Sequence, residues 1–283
     1  MIRRRSKLRS VLLHAVLITV TGITLFPVLL VVRKSLSPGN EFRLSLNPIP
    51  ERVSFEHYDK VLTAQDAAGQ WLFGRQLFNS FLVALLTTVV GVFLASTAAY
   101  AFSRFKFPGR RGGMMIFLVV QMFPATLIMI PLYVILDKLG LLDSVAGLVL
   151  VYSTTAIPFC VFMLKGYFDT IPRELEEAAW IDGASRFGMF WRVVLPLSKP
   201  ALAVTALFSF MTAWNEYILA ETFLNDEAAY TLPVMLKHFV GDKSADWGAF
   251  AAGAFLVSVP VMALFYMLQK ALVSGLTAGG VKG

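Results

Sequence analysis

Six stretches of the chain, at about 10–32, 78–103, 114–136, 145–164, 201–220 and 247–269, are nearly free of charged side chains. Each holds roughly 20 or more mostly apolar residues, the length a helix needs to cross about 30 Å of hydrocarbon. Backbone groups in lipid must be paired within the segment or around a closed barrel. The two-residue alternation of barrel strands is absent, so all six runs are expected to be helices. The pattern predicts an all-α integral membrane fold with six transmembrane helices.

Composition sharpens that reading. With 57% hydrophobic and 15% charged residues and a mean hydropathy of +0.69, an ordinary water-soluble domain is excluded. The net charge of +7 would suggest nucleic acid in a soluble protein, but here it falls between apolar runs and reports orientation. With both termini cytoplasmic, the inner segments hold 16 of the 25 basic residues, among them Arg3, Arg4, Arg5, Arg104, Arg110, Arg173, Arg186 and Lys282, and 12 of the 18 acidic ones lie outside. The outer loop 33–77 carries six basic residues, yet long loops translocate largely regardless of charge. The first run exceeds 20 residues and has no convincing small-x-small site after it, Ser35-Leu36-Ser37 being the nearest. It is expected to stay as an anchor rather than be cleaved. Cys160 is the sole cysteine, so no intrachain disulfide forms.

Between the runs, Pro38-Gly39, Asn47-Pro48 and Pro50 break any continuous helix in 33–77, which is expected to form a small extracytoplasmic cap. The outer segment 221–246 is either an ordinary hairpin loop or one that dips into the membrane or receives a partner. Gly91, Ala95 and Ala99, and Ala245, Ala249 and Gly253, space small residues so that helices approach closely. Prolines within the runs (Pro27, Pro124, Pro131, Pro158, Pro260) permit kinks.

Much familiar chemistry is missing from the sequence. No G-x-x-x-x-G-K-[ST] loop occurs, and His14, His57 and His238 are far apart with no metal-ligand spacing, so neither a nucleotide nor a metal is expected on this chain. An ion-coupled carrier usually places several ionisable groups in its spans; only Glu216 qualifies. Asn215 and Glu216 are candidates for meeting a polar substrate at a pathway mouth, the alternative for Glu216 being a snorkelling or partner-paired acid. Gln121, Tyr100 and Tyr133 suit substrate hydroxyls or neighbouring helices equally.

The most informative segment is 169–196. Thr170 can cap a helix, Pro172 suits its first turn, and Glu174, Glu176 and Glu177 complement its positive end. Gly183 can end it in a left-handed conformation, and 185–194 can form a second short helix before Leu195-Pro196. The result is a helix-turn-helix elbow whose small residues Ala178, Ala179, Gly183 and Ala184 allow either close docking into another protein's groove or packing on its own bundle.

Glu177-Ala178-Ala179, three residues, Gly183, nine residues, then Val193-Val194-Leu195-Pro196 resembles the EAA motif of ATP-binding-cassette importer permeases, with Val193 in place of the usual Ile. The flanking Ile171-Pro172 and Asp182-Gly183-Ala184, and the final 275–283, resemble the carbohydrate branch, closest to the shorter permease of maltose/maltodextrin importers. The resemblance implies a type I importer permease that pairs with a larger second permease. It implies that the elbow sits in a cleft of one of two cytoplasmic ATPase subunits, which bind the ATP and Mg. Glu177, Ala178, Ala179, Asp182, Gly183, Leu195 and Pro196 would then belong to the coupling segment. It also implies an extracytoplasmic sugar-binding protein, an oligosaccharide substrate and residence in the bacterial inner membrane. A second ATPase contact at 270–283 is a further expectation.

Overall fold

The computed structural model describes residues 7–40, 46–241 and 245–280; Arg3, Arg4, Arg5 and Lys282 of the orientation count lie outside them. The described chain is helical, and only two isolated bridges, Gln65 to Trp71 and Val240 to Ala245, occur besides. Four helices are long and apolar enough to cross a bilayer: α1 (Lys7–Leu36), α3 (Leu72–Arg104), α6 (Val145–Phe168) and α13 (Trp247–Gly280); two bent helix pairs raise the possible crossings to six. Two compact units are present, one made of the chain up to Phe73 with Leu236–Val259, the other of Gly74–Met235 with the chain from Pro260.

In the first unit, none of the apolar window of α1 is buried within the chain, so its side chains face lipid or another protein. The short helix α2 (Glu56–Leu62) follows the loop and is tied back to it, Gly39 N donating to Glu56 Oε1 (2.8 Å), while Ser54 N just ahead of α2 donates to Leu36 O at the end of α1 (2.8 Å). His57 is buried with its Nε2 3.0 Å from Ser37 O. Asp246 accepts from Ala249 N (2.9 Å) and from Lys60 Nζ (2.7 Å), capping α13 and joining it to α2.

The second unit departs from the expected spans in three places, each with a local cause. The run 114–136 is two helices, α4 (Arg110–Met122) and α5 (Ala125–Lys138), meeting at 101°. Pro124 forces Phe123 into an extended conformation (φ −77°, ψ 129°), which ends α4. The run 201–220 is also broken: α10 (Lys199–Trp214) stops where Asn215 Nδ2 donates to Met211 O (2.8 Å). A new helix, α11 (Ile218–Phe223), starts on the Glu216 carboxylate, which accepts from Leu219 N (2.9 Å) and Ala220 N (3.1 Å). Finally, α13 is helical to Gly280, so the last helix runs past residue 269, where the apolar run was expected to end.

The segment 221–246 is not a plain hairpin, because α12 (Leu232–His238) follows α11. One face of α3 holds the connection between them: Gln76 Nε2 donates to Glu227 O, Asn79 Nδ2 to Ala228 O and Tyr230 O, and Ser80 Oγ accepts from Leu232 N, at 2.7–3.2 Å. The small residues of α3 act in packing. Ala95 and Ala99 are fully buried, and a side chain on Gly91 would start 3.5 Å from Ser209 Oγ of α10.

Candidate functional site

The elbow begins later than its sequence suggests. Thr170 Oγ1 donates to Tyr167 O (2.7 Å), closing α6 instead of capping the next helix, and α7 (Glu174–Ile181) starts without a side-chain cap. Its far end has the form the sequence implies. Gly183 is left-handed (φ +86°), its N–H donates to Trp180 O (2.9 Å), and Ala184 N donates to Ala179 O (2.9 Å). That 6→1 and 5→2 pairing satisfies the last carbonyls of α7 and turns the chain sharply. Ser185 Oγ then accepts from Gly188 N (3.1 Å) and caps α8 (Arg186–Met189).

Where one helix over 185–194 was expected, α8 passes into a π-helical turn (Phe190–Val194) and α9 (Leu195–Leu197). Pro196 has no N–H to donate and its ring crowds the carbonyl four residues back; the wide turn lies directly ahead of it. The run 186–197 meets α10 at 80°.

The candidate coupling residues differ in accessibility. Glu177, Ala178, Asp182, Gly183 and Pro196 are exposed, Ala179 and Leu195 half-buried. Large apolar side chains stand beside them: Trp180 is 56% exposed, Ile181 85% and Phe187 71%. So much apolar surface on two short helices is the mark of a contact face. Arg186 lies over both the Phe105 ring (5.1 Å) and the Trp180 ring (5.5 Å), which steadies the turn.

Below this face lies a network that the sequence reading missed. Arg104, in the last turn of α3, donates from Nε to Glu176 Oε1 (2.5 Å), from Nη1 to Ser103 Oγ (2.9 Å) and from Nη2 to Ile171 O (3.1 Å). Tyr100 OH donates to Glu176 Oε2 (3.0 Å), Ser103 Oγ to Asp169 Oδ1 (2.6 Å), and Lys165 Nζ to Asp169 Oδ2 (2.6 Å). Burial alone would raise the Asp169 carboxyl, but the bonds from Lys165 and Ser103 outweigh it and hold the group below the usual carboxylate range. Tyr100, Ser103 and Arg104 stand at i, i+3 and i+4 on one helix face; that spacing of polar groups at the end of an apolar run was the available signal. Of the three acids opening α7, Glu176 is the buried one.

The three candidate substrate-path residues are not equivalent. Glu216 also accepts from Tyr152 OH (2.7 Å), so both of its carboxylate oxygens are bonded within the chain. Asn215 is exposed beside it, and Gln121 is exposed in the last turn of α4.

The family of binding-protein-dependent transport system inner membrane components matches residues 78–277. The chain belongs to this family. It is an ATP-binding-cassette importer permease of the type I fold. The galactooligosaccharide permease GanQ of Bacillus subtilis is 39% identical across 99% of this permease and 98% of its own length. The maltose/maltodextrin permease MalG of Salmonella typhimurium is 38% identical across 99% and 98%. Among solved structures, a bacterial ABC transporter involved in import of the acidic polysaccharide alginate has a permease chain with a TM-score of 0.77 at 25% identity, covering 96% of this chain and 99% of that one.

Proposed function

We propose that this permease carries oligosaccharides of the maltose/maltodextrin class inward as one half of a two-permease channel. Two ATPase subunits drive it from the cytoplasm, and an extracytoplasmic binding protein feeds it. The carrying observation is the exposed, small-residue elbow ended by the left-handed Gly183, on a chain that aligns end to end with sugar permeases. α7 with Glu177, Ala178, Ala179 and Asp182 is the part gripped by the ATPase. Closure of the ATPase pair on ATP moves the elbows and turns the spans from inward-facing to outward-facing as rigid bodies, and hydrolysis resets them. Both termini lie in the cytoplasm, a reading supported by the placement of the basic residues. Asn215 is the candidate for contact with sugar, while Glu216 holds the backbone beside it.

A second substrate reading is favoured by one comparison: the galactooligosaccharide permease is as similar as the maltodextrin one. The test reconstitutes the permease with its partner permease, ATPase and binding protein and measures which sugars stimulate ATP hydrolysis. Stimulation by maltodextrins supports the proposal, and stimulation by galactooligosaccharides alone moves it to the second reading. Sugar uptake by the purified chain without ATP or partners would overturn both. Cysteines at Ala178 or Ala179 are expected to cross-link to the ATPase.

A further inference from the structure

We propose that Arg104 and Glu176 are a positioning pair that makes the coupling helix α7 move as one body with the ends of α3 and α6. The proposal rests on the reading of α7 as the ATPase-docking helix. The linker 169–173 between α6 and α7 is non-helical, and by itself it would let α7 pivot. One turn of α3 removes that freedom by holding three successive points of the junction. Ser103 binds Asp169 at the end of α6, Arg104 Nη2 binds the Ile171 carbonyl in the linker, and Arg104 Nε with Tyr100 OH binds both oxygens of Glu176 in the first turn of α7.

The side chains of Arg104 and Glu176 are only 8% and 10% exposed. A charge pair at that depth adds little net stability over well-packed apolar residues, because desolvation offsets the attraction. Apolar packing is already supplied at this place by Phe168, Ile171, Phe190 and Val194 around Tyr100. What the pair adds is direction: a forked, multiply bonded guanidinium fixes α7 in one orientation, which apolar contact does not. A displacement of the elbow by the ATPase is therefore delivered to α3 and α6 together rather than lost in the linker.

The test compares the reconstituted importer carrying the double substitution Arg104→Met with Glu176→Leu, or the single Glu176→Gln, against wild type. It reads sugar transported per ATP hydrolysed in assembled complexes, together with thermal stability. The double variant stays folded and keeps binding the ATPase, but its transport per ATP falls about tenfold, within the range by which residues along a coupling network act. Glu176→Gln, whose amide oxygen still accepts from Arg104 Nε while its nitrogen no longer accepts from Tyr100 OH, stays within about threefold of wild type. An unchanged ratio in the double variant overturns the proposal, as does a loss of uptake that only tracks the amount of folded complex. Should the double variant not assemble, Tyr100→Phe carries the test: a two- to threefold drop in the ratio is expected (about 0.5 kcal/mol), and no drop overturns the proposal. Failure of the underlying reading is separate, since it shows, with Arg104 and Glu176 intact, as absence of cross-links to the ATPase from a cysteine placed at Ala178.

Discussion

Gly183 separates two demands that usually coincide, the backbone of the permease and the surface it offers. Its φ of +86° lies in the left-handed region, and a side chain added there would have nothing within 4 Å. Gly183→Ala therefore meets only the clash of its Cβ with its own backbone, about 1–2 kcal/mol, and if docking requires the intact turn, ATPase affinity falls about 5- to 30-fold. Gly183→Asn, which tolerates the left-handed region, loses less. Gly183→Trp has the same backbone cost in the free permease but fills the space that the proposed ATPase docking would use, so a loss above about 100-fold is expected. Titrating purified ATPase onto each detergent-solubilised variant, with thermal unfolding in parallel, resolves the two effects. Equal affinities for the Trp and Ala variants would refute the argument that the surface around Gly183 is covered by a partner.

Three further outcomes are expected from the packing and charges. In Gly248→Ala the new Cβ lands 2.1 Å from both Cε1 and Nε2 of the buried His57 ring, so the thermal midpoint falls by the equivalent of about 1–3 kcal/mol, and His57→Ala in the same chain relieves part of the loss. Asp169 has its folded pKa lowered. Its contribution to stability is thus present above the ordinary carboxylate value, about pH 4, and is lost as pH falls through the depressed one. Asp169→Asn should melt lower at pH 7 and show a flatter acid limb in thermal scans from pH 7 to 3. Glu216→Ala removes the acceptor of two amides and of Tyr152 OH, with an expected loss of about 2–3 kcal/mol. Glu216→Gln should retain most of the stability, as read by size-exclusion profiles after heating.

What could be read from the chain and what could not divides along the range of the forces involved. The apolar runs and the motif from Glu177 to Pro196 were legible because lipid demands long charge-free helices and because a left-handed glycine after α7 is a local requirement. The broken spans were half legible. Pro124 announces a kink, but a 101° bend also needs neighbours to take up the freed groups, and the break at Asn215 exists because Glu216 bonds amides and Tyr152 across helices.

Arg104 and Glu176 are 72 residues apart, and in the sequence one reads as a flanking basic residue and the other as a helix-dipole acid. By itself the sequence determined that this protein is a helical membrane permease with a sharp elbow after Ile181, because burial and backbone satisfaction act locally on every segment. Only the tertiary structure decided which of three adjacent acids is buried against the bundle and which face is left open. Pairing of charges depends on where distant helix ends meet, and no local pattern encodes that.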